Sequence, residues 1–325
     1  MRQFHLPVMA AICALSPLAG QAANQGRYPS GPISIVVPYP AGGGADAFAR
    51  LVGKRVGDRL GQQVIVENKA GASGNIGAAF VARSKADGYT VFFGTGVTLA
   101  VNPHLYKSLP YDPIKDFDPV IHAAFLPSYL VVNPKVPAAS VEDLVAYLKR
   151  HPGSINYASA GNGTPSHLGA ELFKRSAGVD ITHIPYKGGA PALTDLVAGR
   201  VSVMFAYLSE VQAHLDAGQL RAIGITTRER SPLAPAMPTF DESGLKDFEL
   251  IGLYGFLVPK GTPKDRIAAL NRAFNETFAD ADIRERLAAI GVDLRGGRPE
   301  ALADLIESES RKWGQIIRSA GIAND

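Results

Sequence analysis

The stretch Ile33-Ser-Ile-Val-Val-Pro-Tyr-Pro-Ala-Gly-Gly-Gly-Ala-Asp-Ala-Phe-Ala-Arg50 decides the fold. A β-branched apolar run passes through Pro38 and Pro40 into Gly42, Gly43 and Gly44, then into an alanine-rich helical pattern. That order reads as a strand over 33–38, a tight turn, and a helix over 45–60 that stops at Gly61. Glycine admits positive φ and leaves no side chain in front of the helix. The first N–H groups of a helix have no partner within it, and its dipole places about half a positive charge there. Such a turn attracts an anion without any lysine or arginine. The expected ligand group is a carboxylate.

Working outward, strand and helix patterns alternate along the chain. Further strands are expected over 63–67, 90–93, 154–158, 181–186, 201–206 and 220–226. Helices are expected over 74–85, 102–109, 140–151, 165–176 and 190–198, the last ending at Gly199. Ser140-Val-Glu-Asp143 is a helix-start signal. From residue 262 onward the pattern is helical, over 263–278, 280–290 and 299–320. This alternation implies an α/β fold with parallel strands and helices on both faces. Two mostly apolar runs, 121–133 and 248–259, read as crossings between domains. A chain of 325 residues exceeds what one core usually serves. Two lobes are therefore expected, one from 30–124 plus 248–325 and the other from 125–247.

Residues 1–22 read as an export signal. Arg2 is followed by an apolar stretch over 8–18, broken only by Ser16, and by Gly20-Gln-Ala22 as a cleavage site. The stretch is too short to span a bilayer. Cys13, the one cysteine, lies within it; Ala10 and Ile12 do not fit a lipoprotein signal. Disulfides therefore play no part in the mature chain. Charge is nearly balanced, 33 basic against 30 acidic residues, with no basic run of the kind that binds nucleic acid.

Three loops share the first one's design. They are Tyr39-Pro-Ala-Gly-Gly-Gly-Ala-Asp46, Ser159-Ala-Gly-Asn-Gly-Thr-Pro-Ser166 and Tyr186-Lys-Gly-Gly-Ala-Pro191. Thr164 stands as a cap before Pro165, a favoured first helical residue. All three fall at carboxyl ends of strands, where open α/β sheets bind ligands. Glycine-rich turns also occur for packing alone. Asp46 either caps its helix or meets the ligand, and Lys187 either pairs with a carboxylate or points to water. Tyr39 and Tyr186 either offer hydroxyls to a cleft or pack. Asn75 either braces the first loop or donates to the ligand.

Rival chemistries have thinner support. Gly42-Gly-Gly44-Ala-Asp-Ala47 fits the dinucleotide fingerprint, and Glu67 ends the next strand, but a lone match is weak. No G-x-S-x-G frame surrounds Ser73, and the histidines show no metal spacing. No enzyme activity, cofactor or metal is expected.

The motifs as a set resemble the Bug-type periplasmic receptors of tripartite tricarboxylate transporters. They run from Pro38-Tyr-Pro-Ala-Gly-Gly-Gly-Ala-Asp46 through Val66-Glu-Asn-Lys-Ala-Gly-Ala-Ser-Gly-Asn-Ile-Gly77, Ala86-Asp-Gly-Tyr-Thr90 and Tyr111-Asp-Pro-Ile-Lys-Asp-Phe117. Gly163-Thr-Pro-Ser-His-Leu168, His183-Ile-Pro-Tyr-Lys-Gly188 and Val258-Pro-Lys-Gly-Thr-Pro263 follow in order. The resemblance implies a two-lobed, type II, Venus-flytrap binding protein with two crossover segments, monomeric and periplasmic. It implies a small carboxylated solute as ligand and a permease pair in the membrane as partner. Carried over by position, the ligand-binding residues are Tyr39, Pro40, Ala41, Gly42, Gly43, Gly44, Asp46 and Asn75, with Thr95, Gly96 and Thr98. From the other lobe come Ser159, Ala160, Gly161, Asn162, Gly163, Thr164 and Ser166, then Tyr186, Lys187, Gly188, Gly189, Ala190 and, in the wall, Phe205. A signalling receptor, or an exported enzyme on the same scaffold, are the alternatives.

Overall fold

A computed structural model describes residues 28–322. The export signal expected over 1–22 lies outside them. The first strand, β1 (Ile33–Val37), is buried apart from the half-buried Ser34, and α1 (Gly44–Leu60) follows the glycine turn. Phe48, Ala49, Val52 and Val56 of α1 pack on Ile33, Ile35 and Val37, so the alternation in the sequence becomes a sheet face covered by a helix. β2 (Val64–Asn68) leads to a short 3-10 turn at Ala72–Gly74 and then α2 (Asn75–Ala82). The helix expected over 74–85 thus starts later, because Gly74 has φ 91°, outside helical space.

β3 (Thr90–Thr95) runs directly into a wide π turn, Val97–Val101, and then α3 (Asn102–Leu105). The Thr98 hydroxyl accepts the Thr95 N–H at 3.0 Å and turns the chain there. That places this helical segment ahead of the expected 102–109.

Strand β4 (Phe117–Val132) is the long crossing. Beyond it come α4 (Val141–Arg150), β5 (Asn156–Ser159), α5 (Pro165–Ala177), β6 (Thr182–Pro185) and α6 (Gly189–Ala198). β7 (Val203–Tyr207), α7 (Leu208–Asp216), β8 (Arg221–Ile225) and β9 (Ile251–Pro259) complete the return. The chain ends with α8 (Lys264–Phe278), α9 (Ala281–Ala288), β10 (Asp293–Leu294) and α10 (Pro299–Ala320). Ser140 caps α4 by accepting the Asp143 N–H, as its start signal implies. Neither α7 nor β10 was among the expected elements.

One continuous strand path runs β2-β1-β3-β9-β4-β7-β5-β6, with β8 and β10 also on β4. The two halves of β4 serve different lobes. From Phe117 to Pro127 it pairs β9, and from Ser128 to Val132 it pairs β7 and β8. The sheet is mixed, not parallel throughout. β1 is parallel to β2 and β3, and β5 to β6 and β7, but β4 and β9 run antiparallel to each other. A chain that crosses between lobes and returns through adjacent strands must reverse its direction. At the crossing, the fully buried Thr226 hydroxyl accepts the Ser128 N–H at 3.0 Å and lies 2.6 Å from the Leu250 carbonyl. That one side chain joins the end of β8 to both crossing segments.

The final helix does not stay with the first lobe. Leu302 and Ile306 pack with Val36, Phe92 and Leu257, whereas Trp313, Ile316 and Ile317 join the cluster of Leu168 and Phe173 in the second. Val101 and Leu105 enter that same second cluster from the first lobe.

Candidate functional site

The turns after β1, β3, β5 and β7 converge on one cavity of about 530 Å³ between the lobes. Tyr39, Pro40, Ala41, Gly43, Gly44, Thr95 and Gly96 line it from one side, and Asn162, Gly163 and Thr164 from the other. Among the described residues, no lysine, arginine or histidine lines it. A larger hollow of about 960 Å³ lies beside α2, around Ile76, Phe80 and Arg83, but touches none of the three glycine loops. The interlobe cavity is therefore the candidate site.

The first loop is braced from behind. Gly42 takes φ 86°, which suits glycine, and donates its N–H to Asp46 Oδ2 at 2.9 Å. The same carboxylate accepts from Arg50 and, at 2.9 Å, from Asn68, whose Nδ2 also reaches the Tyr39 carbonyl. The Arg50 hydrogen bond and then the Gly42 N–H hold the Asp46 pKa down, to about 2. Asp46 and Gly42 do not line the cavity. Asp46 thus fixes the turn, and its pairing with Arg50 offsets its charge behind the site. What faces the cavity is the opening of α1 at Gly43, Gly44 and Ala45, where helical geometry leaves N–H groups unpaired.

Asn75 and Thr98 are buried braces of the same lobe. Asn75 Oδ1 accepts from Asn102 at 2.7 Å and from Tyr111, while Thr98 bonds the Thr95 backbone. Neither lines the interlobe cavity.

The second loop uses most of its own amides. Ser166 Oγ accepts the Ala160 N–H, Ser159 Oγ accepts the Gly161 N–H, and His167 Nδ1 accepts the Gly163 N–H. Thr164 does not cap α5 with its hydroxyl, which donates to the Gly161 carbonyl at 2.6 Å. This loop accordingly gives the cavity side-chain surface from Asn162 and Thr164 more than main-chain donors.

Beneath it, His167 and His183 stack at 4.1 Å, with Tyr157 against His183 at 4.6 Å and Ser159 Oγ 2.6 Å from His183 Nε2. Burial lowers both imidazole pKa values, and the facing His167 adds to the effect at His183, which falls to about 4. Neutral rings are thus built into the fold, and their contribution is complete above the ordinary histidine pKa near 6.5. It is lost as pH falls toward 4, because the unfolded chain takes up the protons first. Wild-type protein is expected to lose about 1–2 kcal/mol across that interval beyond a His167→Gln, His183→Gln variant, after allowance for solvent screening. Denaturant unfolding of both proteins at pH 7 and pH 4.5 measures it; equal losses would rule it out.

The third loop stands behind the second. The Tyr186 N–H donates to the Ser159 carbonyl and the Gly188 N–H to the Ala160 carbonyl. The Tyr186 hydroxyl is turned to Asp195 at 2.8 Å, and Lys187 is solvent-exposed. Tyr186, Lys187, Gly188, Gly189 and Ala190 do not line the cavity, nor do Ser159, Ala160, Gly161 and Ser166. Phe205 is core, packed among Phe173, Phe240 and Phe248, because it faces the helix side of β7.

Residues that the sequence reading missed include Tyr207, Ser209, Glu210, Asn102, Tyr254 and Trp313. Tyr207 to Glu210 follow β7 directly, so the rule of strand carboxyl ends applied to them too. Burial raises the phenol pKa values of Tyr39, Tyr207 and Tyr254, keeping these cavity hydroxyls neutral.

Residues 48–322 match the family described as tripartite tricarboxylate transporter family receptor, TctC. The chain belongs to that family. Among its relatives, the receptor is 37% identical to BugT of Bordetella pertussis over 317 residues, 97% of each chain. The solved structure of R. palustris Rpa4515 with adipate is 36% identical, with a TM-score of 0.81 over 91% of this receptor and 99% of that chain. MatC of Rhodopseudomonas palustris with bound malate is 32% identical, with a TM-score of 0.76 over 89% and 100%. The Bug-type resemblance and the two-lobed binding-protein fold are both sustained by these matches.

Proposed function

We propose that this receptor works in the periplasm, closes on a small carboxylate between its lobes, and delivers it to the permease subunits of a tripartite tricarboxylate-type transporter. The observation that carries this reading is the cavity wall. Bare backbone at the start of a 17-residue helix faces a space of metabolite size without a basic side chain. A carboxylate there is held by N–H dipoles, with neutral hydroxyls around it. The relatives solved with adipate and malate support the ligand class. Among the described residues no helix is long and apolar enough to cross a membrane.

A thermal-shift panel of small mono-, di- and tricarboxylates tests the reading. A ligand at a hundredfold excess over its Kd adds about 2.7 kcal/mol to stability. Native mass spectrometry of the same protein then gives one ligand per chain. A panel in which no carboxylate raises the melting temperature would overturn it.

A further inference from the structure

Among the described residues Glu210 is the only charged one lining the cavity, and a carboxylate is an unexpected wall for an anion site. It lies in the first turn of α7, where its Oε2 accepts the Tyr207 N–H at 3.0 Å. Its Oε1 has no hydrogen-bond or ion-pair partner among the described residues. A Cβ built on Gly189 would lie 3.6 Å from Oε1, so the third loop passes close to this oxygen as glycine backbone. Solvent reaches Glu210, yet the surrounding cleft walls raise its pKa, against the opposing pull of the Tyr207 N–H. Asn102 is fully buried at the cavity wall, its Nδ2 donating to Ser73 and Asn75, and its Oδ1 lacks a partner among the described residues.

Main-chain N–H groups face the cavity where α1 opens, and at the start of α7 Glu210 brings to the same wall a carboxylate with one oxygen free of protein partners. A second free carboxylate placed against Glu210 would meet like charge in a partly desolvated space. A group that donates a hydrogen bond would complete it, most strongly if cationic.

We infer that Glu210 sets specificity by requiring a hydrogen-bond donor, an ammonium or hydroxyl group, at the far end of a ligand whose carboxylate sits at Gly43–Ala45. This rests on the carboxylate reading of the cleft and narrows it to amino or hydroxy acids over simple dicarboxylates.

Calorimetry with matched four- and six-carbon acids tests it. The probes are 4-aminobutyrate, 4-hydroxybutyrate, succinate and butyrate, with 6-aminohexanoate, 6-hydroxyhexanoate, adipate and hexanoate. The proteins are wild type and Glu210→Gln. Glutamine keeps an oxygen for the Tyr207 N–H, so the α7 cap survives. Wild type is expected to bind an amino or hydroxy acid at least about tenfold tighter than the diacid of equal length. In Glu210→Gln the amino acids lose about ten- to a hundredfold and the diacids gain. Hydroxy acids that bind wild type and lose only a few-fold identify the hydroxyl as the donor. Diacids binding wild type best, or a ranking unchanged by the substitution, would overturn the inference and leave the carboxylate reading standing. Failure of all eight acids with both proteins would overturn the inference, and the broader carboxylate panel then decides the reading beneath it.

Discussion

Gly43→Val is expected to abolish ligand binding while leaving the protein folded. Gly43 precedes α1 with φ −80° and ψ 169°, extended backbone that valine adopts without strain. A Cβ there would meet only the Pro40 carbonyl, at 3.8 Å. Nothing in the fold therefore requires glycine at this position. The isopropyl group would occupy the space in front of the Gly44 and Ala45 amides, and no basic side chain in the cavity wall compensates. Affinity for any carboxylate should fall at least about a hundredfold, the scale of losing two or more charge-assisted hydrogen bonds. Stability should fall by only about 1 kcal/mol, since valine is a poor residue at the start of a helix. Calorimetry and a melting curve on the same sample decide between the roles. Near-normal affinity would move the carboxylate away from this turn. A variant that fails to fold would make Gly43 structural. The contrast is Gly163, where φ is 71° and a Cβ would come within 2.2 Å of Leu105 across the lobe interface. That glycine serves the fold.

The strand–turn–helix units were legible because their signals are local. Val37 to Gly44, the Ser140 cap, and the stops at Gly61 and Gly199 are each set by residues a few positions apart. The first loop's place in the cavity wall follows from such a signal. What lay hidden depends on long-range geometry. Tyr207 to Glu210 pass from β7 into α7 with no glycine between, so no composition marks them as a ligand-facing turn. Trp313 reaches the cavity from a helix near the chain end, and Tyr254 from the returning strand. The same limit misassigned Phe205, since an apolar residue on a strand shows its alternation but not which face carries the cleft. The second loop repeated the glycine pattern of the first, yet Ser159, Ser166 and His167 consume its amides. Glycine spacing records where a backbone is bare and leaves open what its N–H groups meet.

Asp46 supplies the largest stability effect expected from one residue of the site. Its side chain is buried, and it gathers the Gly42 N–H, the Arg50 guanidinium and the Asn68 amide into one cluster. Asp46→Ala leaves those donors unsatisfied at the base of the turn and should cost about 2–4 kcal/mol. The melting temperature should fall by about 5 °C or more. The cluster lies near the surface, with the Arg50 side chain 51% exposed, so the charge itself accounts for only about 1–2 kcal/mol of that loss. Asp46→Asn isolates the charge. The Asp46 pKa is held at about 2, below its ordinary value, so the carboxylate stabilises the fold fully above pH 4. That contribution disappears as pH falls through 2, when the folded form is protonated as well. The stability gap between wild type and Asp46→Asn should therefore be constant from pH 7 to about 4 and close below it. Denaturant unfolding across that range measures the gap. A gap that stays open at pH 2 would mean that shape, not ionisation, makes this residue a brace. Ligand affinity should fall along with the gap, because the turn that loses its Gly42 anchor is the one that presents Gly43 and Gly44 to the cavity.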